Sequence, residues 1–183
     1  MSYDVALNKA WEDLASLKPD KNLSVKFLAD EYTVDLESKK VLSLSCNAPI
    51  KDFLVILILH YLVQKLKGLP KINNEWLTFR ELSGVEGYLP AFKARVIQPI
   101  IRKYGHKPEA LLEALDRLPA KKIDQADVGI VLEVFEGAPA LVLLWRSDSE
   151  FSPEANLLFD KSITQIFCTE DIVVLAEFIA RQL

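Results

Sequence analysis

Apolar residues first recur at helical spacing. Ala6, Leu7, Ala10, Trp11, Leu14 and Leu17 fall three or four apart, while Asp4, Asn8, Glu12 and Asp13 face away, which predicts an amphipathic helix over 3–17. Lys18-Pro19-Asp20 ends it, because the residue before a proline avoids helical angles. The period then changes to two. Leu23, Val25, Phe27 and Ala29, then Tyr32, Val34 and Leu36, then Leu42, Leu44 and Cys46 alternate with more polar positions. Three short strands joined by tight turns predict an antiparallel meander with these residues on its buried face.

Residues 50–67 form the most apolar helix, stopped near Gly68 and Pro70. Residues 75–81 alternate as a short strand. Phe92, Val96 and Ile100 restore helical spacing over 88–104, where Pro99 kinks or divides the helix and Gly105 closes it in a left-handed conformation. Pro108 opens a further helix with Leu111, Leu112 and Leu115 inward. Residues 128–134 and 140–145 make a hairpin around Glu136-Gly137-Ala138-Pro139, and 156–159 is a third strand candidate. Thr169 caps a last helix that buries Ile172, Leu175, Ala176 and Ile179. The pattern is α+β: a single domain over 1–183, with an N-terminal meander and a C-terminal hairpin packed with about four to six helices.

Half of the 183 residues are hydrophobic and 26% are charged, enough for a sizeable core. The net charge of −4 argues against a phosphate-binding face, and the densest basic pairs, Lys39-Lys40 and Lys121-Lys122, read as turns, so no nucleic-acid partner is expected. The N-terminal residues lack a secretory pattern, and the apolar run at 53–59 is too short to span a bilayer. Cys46 and Cys168 stand apart and read as reduced, buried thiols of a cytoplasmic protein. No glycine-rich phosphate loop, C-x-x-C pair or G-x-S-x-G elbow is present, so the residues name no cofactor.

The chemistry-bearing stretch is WRSDSEFSPEANLLFD, residues 145–160. In an extended chain Asp148 and Glu150 share a side. With Asp160 or Glu170 adding ligands they could hold a hard cation such as Mg²⁺, Mn²⁺ or Ca²⁺. Alternatively Arg146 neutralises one of them, or the whole is a solvated loop. Phe151 reads as an anchor that would hold the acids in place, and Trp145 as packing beside them. His60, inside LILHYLV, is an ordinary core imidazole or a base.

ILHYL (58–62), WLTFREL (76–82), the Tyr88/Phe92 pair, W-x-x-D-x-E-F (145–151), EANLLFD (154–160) and TEDIVVL (169–175) together resemble a prokaryotic family, domain of unknown function 3786, over about residues 23–183. Ser152, between Phe151 and Pro153, departs from that family's usual acid–Phe–Pro wording. The resemblance implies no established reaction. It implies a setting in anaerobes, accessory to iron–sulfur or corrinoid metabolism, since some relatives carry an added iron–sulfur domain. It also gives weight to the acidic stretch as a recognition segment. Two functions follow as expectations. One is a cytoplasmic module binding a small molecule or a protein partner through Asp148, Glu150, Phe151, Asp160, Trp145 and His60. The other is an oxygen-ligand metal-dependent hydrolase with Asp148, Glu150 and Asp160 as ligands and His60 as base.

Overall fold

In the computed structural model residues 3–183 are described; Met1 and Ser2, where the reading for a secretory leader begins, lie outside the described residues. The fold is α+β, with two antiparallel sheets of four and five strands and six α-helices among the described residues. By its internal contacts the chain divides into two compact units, Met1–Pro70 and Lys71–Leu183.

In the first unit α1 (Asp4–Ser16) packs on α2 (Asp52–Lys67) through Ala10, Trp11 and Leu14. α2 is apolar on every side, and Leu54 to Leu59 are all buried, as such a helix must be. The meander is β1 (Asn22–Phe27), β2 (Asp30–Asp35), β3 (Lys40–Ser43) and the short edge strand β4 (Ala48–Pro49), paired in chain order. β3 presents the opposite face from the one its leucines suggest. Val34 pairs with Val41 and Tyr32 with Ser43, so Val41 and Ser43 are buried while Leu44 is 51% exposed. A one-residue difference in register exchanges the faces. Ser43 tolerates the core because its hydroxyl donates to Asp30 Oδ2 at 2.5 Å, and Ser45 Oγ donates to Asp30 Oδ1 at 2.5 Å. Cys46 and Cys168 are free and exposed, not buried.

The second unit begins with β5 (Trp76–Thr78), shorter than expected because the chain turns into a single 3-10 turn at Phe79–Glu81. Next come α3 (Leu89–Phe92), a π-helical turn over Lys93–Ile97, and α4 (Gln98–Tyr104). Pro99 therefore divides the helix by way of a wide turn, in which the Gln98 N–H reaches Lys93 O, five residues back. Gly105 is not left-handed, with φ −61°. It is glycine for lack of room, since a Cβ would stand 2.6 Å from Ile101 O and 2.9 Å from the Pro153 ring. The segment Pro108–Asp116 is 3-10 helical.

The remaining strands are β6 (Ala120–Ile123), β7 (Val128–Phe135), β8 (Ala138–Trp145) and β9 (Glu154–Asp160), in the order β5-β9-β8-β7-β6, all antiparallel. Lys121-Lys122 is thus a strand at the sheet edge, where exposed lysines discourage further pairing, and not a turn. Ile130, Val142 and Leu157 sit side by side on the buried face, and β8 is covered on both faces. A short α5 (Ile163–Ile166) precedes α6 (Thr169–Gln182). Its N-cap is Cys168, whose N–H meets Asp171 Oδ2, and the Thr169 hydroxyl donates instead to Ser83 O at 2.9 Å.

Whether the two units behave as the single domain expected over 1–183 is decided by scanning calorimetry. One transition, with equal calorimetric and van't Hoff enthalpies, is the expected outcome. Two resolved transitions would divide the chain into two domains.

Candidate functional site

The acidic stretch folds as an exposed loop between β8 and β9, followed by β9 itself. Asp148 Oδ1 accepts the N–H groups of Glu150 at 2.8 Å and Phe151 at 2.7 Å, and the Asp148 N–H donates to Phe151 O at 3.0 Å. These backbone donors hold its carboxyl below the usual carboxylate range. The carboxylate is thus used to shape its own turn. Glu150 is exposed. Phe151 is 67% exposed and anchors nothing in the core. Arg146 turns away from the loop's acids: its guanidinium pairs with Glu109, and its N–H donates to Asp127 Oδ2 at 2.7 Å. Trp145 is half-buried at the end of β8, opposite Glu154. His60 is half-buried on α2, in the first unit.

Asp160 has a different position and task. It is fully buried at the far end of β9, six residues and about 20 Å of extended chain from Glu154. Its carboxylate accepts the N–H groups of Asn73 at 3.0 Å, Asn74 at 2.7 Å and Ser162 at 2.9 Å. Burial pushes its pKa up, but the hydrogen bonds from Ser162, Asn73 and Asn74 outweigh that and hold it below the usual carboxylate range. The Ser162 hydroxyl lies near enough to favour the charged form, yet no partner meets its buried oxygen in hydrogen-bonding geometry, so the three backbone donors carry the clamp. Asp148 and Asp160 accordingly lie toward opposite ends of β9. Among the described residues no three His, Cys, Asp or Glu side chains are grouped to hold a metal ion.

A groove runs along the outer edge of β9, between that strand and the helical stretch 89–104. Two overlapping cavities of about 500 and 680 Å³ form it, and both are lined by Arg80, Lys93, Ile97, Ala155 and Asn156. Thr78 and Phe92 line the smaller, at the β5 end. Ile101, Pro153 and Glu154 line the larger, so the acidic loop ends as one wall of the groove. The contact between Gly105 and Pro153 sets that wall against α4. Phe79 stacks on Phe92, with ring centroids 4.0 Å apart and planes 1° from parallel, and fixes the other end.

Arg80 and Lys93 are exposed and, among the described residues, their side chains make no ion pair or hydrogen bond. The nearest acid in sequence, Glu81, is already occupied: its Oε2 accepts the Thr78 N–H and hydroxyl, each at 2.7 Å. Two free cations beside a cavity can take a carboxylate or another anion. Sequence reading missed them because single basic residues at 80 and 93 have no pattern. Only the end of β5 and the π-turn bring them to one groove.

Replacing Asp160 tests its structural role. D160N keeps the shape but directs an amide donor at backbone donors, and should cost about 2–4 kcal/mol in urea unfolding, given about 1.5–3 kcal/mol for a hydrogen bond to a charged group. The paired substitution D148N/E150Q should move the midpoint far less. Because the folded pKa of Asp160 is lowered, its contribution is fully present above the unfolded value near pH 4 and is lost as pH falls through the folded value. The gap between wild type and D160N should therefore be flat at neutral pH and close in acid. A D160N midpoint equal to wild type at pH 7 would refute the clamp.

Among curated proteins and among solved structures nothing matches the chain. A family model described as a domain of unknown function, number 3786, matches residues 9–182, nearly the whole sequence and both compact units. The chain belongs to the domain of unknown function 3786 family.

Proposed function

We propose that the chain is a binding module whose site is the β9 groove, and that it holds a carboxylate-bearing small molecule or protein partner there. The observation that carries this reading is the pair of unpartnered cations, Arg80 and Lys93, lining both cavities. In this reading charge recognition passes from the acids of the loop to these two residues. Asp148 sets the turn that leads into the wall, and Phe151, one residue before Ser152 in that wall, offers an apolar contact at the rim. His60, in the other unit, is given no part.

The proposed setting is the cytoplasm of a prokaryote, without a nucleic-acid partner. Two free cysteines fit a reducing compartment, and no helix among the described residues is long and apolar enough to cross a membrane. The accessory link to iron–sulfur or corrinoid metabolism rests on the family resemblance.

Glutarate, a plain dicarboxylate, is a suitable probe. Titrated into ¹⁵N-labelled chain, it should shift the amides of Lys93, Ile97 and Asn156, and R80E/K93E should remove those shifts. Absence of any groove shift in the wild type would reject the reading.

Mg²⁺, Mn²⁺ and Ca²⁺ should each leave the melting temperature unchanged. A native-state ion site would add about 2.7 kcal/mol at a hundredfold excess over its dissociation constant. A clear rise with any of them would return the metal-dependent hydrolase to first place.

A further inference from the structure

The floor of the groove is an incomplete sheet edge. Lys161 donates its N–H to Glu75 O at 2.8 Å, and Leu77 pairs with Phe159. In an antiparallel strand, alternate residues turn both backbone groups to the same side. Residues 161, 159, 157 and 155 therefore all face the β5 side. β5 stops at Thr78, opposite Leu158, a pair whose flanking ladder bond engages the Leu157 C=O, so the Leu157 N–H and both backbone groups of Ala155 turn into the groove. Among the described residues no strand pairs with β9 on that side beyond Thr78. The opposite wall is a helical stripe: Lys93, Ile97 and Ile101 stand four residues apart, about 6 Å per step.

We propose that the occupant of the groove is an extended acidic segment of a partner protein, added as a strand to the open edge of β9. This rests on the reading of the groove as the binding site and names what fills it. Three backbone groups, the two of Ala155 and the N–H of Leu157, match one extended chain. Alternate side chains of that chain stand about 6.6 Å apart, close to the spacing of the stripe. An acid would meet Lys93 and Arg80, and apolar residues two and four positions away would meet Ile97 and Ile101. The direction is set by charge, since Glu154 lines only the cavity at the loop end and disfavours an acid there. A free carboxylate would use the cations and leave both the edge and the isoleucines unsatisfied.

The probe is the capped peptide Thr-Glu-Thr-Val-Thr-Val-Thr, which places an acid and two valines on one face, tested on the full chain. It should bind more tightly than glutarate and slow amide hydrogen exchange at Ala155 and Leu157. Changing its Glu to Lys, or using the R80E/K93E chain, should weaken binding about tenfold or more. Methylating the peptide nitrogens that face β9 should abolish it. Because Arg80 and Lys93 are exposed, an unchanged melting temperature for R80E/K93E shows that the loss is one of binding. Glutarate binding as tightly as the peptide, or a methylated peptide binding undiminished, overturns strand addition while leaving the anion site standing. Failure of both probes overturns both readings. Protection of Ala155 and Leu157 on concentration-dependent dimerisation of the chain alone would assign the edge to a second copy and overturn the proposal.

Discussion

The buried carboxylate of Asp160 is the interaction on which the second unit's sheet edge depends. Taking a lone carboxylate out of water is costly, and the charge is tolerable only when hydrogen bonds replace its hydration. Asn73, Asn74 and Ser162 do that with three backbone N–H groups. The same bonds tie the chain entering β5 to the chain leaving β9. Asn74 takes φ 59°, a left-handed conformation that asparagine tolerates better than most residues, and so points its N–H inward. A strand of three residues has few ladder bonds of its own, so the clamp decides where β5 lies against β9. It thereby decides where β5 runs out.

β5 runs out because Thr78 ends the strand. Its N–H and hydroxyl both bond the Glu81 carboxylate, which turns the chain into a 3-10 turn and away from the sheet. Natural sheets seldom leave an edge bare. Here the uncovered half of β9 faces a helix with a proline at position 99 and a π-turn before it. Proline cannot donate to the helical ladder, and the wide turn accommodates that without ending the helix. The clamp, the capped turn, the π-turn and the glycine contact at Pro153 are separate local events. Together they leave a groove between edge and helix.

Period and composition made the α+β class, the long apolar helix, the central place of β8 and the inner face of α6 legible. The misreadings have physical causes. Leu42 and Leu44 look more apolar than Val41 and Ser43, but the partner strand fixes the register, and an Asp30–Ser43 hydrogen bond makes the buried serine tolerable. Lys121-Lys122 resembled a turn because edge strands are allowed to be polar. Gly105 resembled a helix stop, but what requires glycine is the approach of Pro153, about fifty residues later. Each depended on a neighbour remote in sequence.

The same distinction applies to the site. Residues 145–160 drew notice through a density of carboxylates, yet the two most telling ones are occupied by the fold. Asp148 closes its own loop, Asp160 ties β5 to β9, and Arg146 turns to Glu109. Both oxygens of Asp160 accept backbone donors and Asp148 Oδ1 accepts two, which leaves less of each charge to offer a ligand. Arg80 and Lys93 form no cluster in sequence, but they reach the groove with their donors uncommitted. Recognition requires charge that folding has not already consumed. On that criterion the acidic segment builds one wall of the groove, and in the proposed reading the isolated cations recognise what enters it.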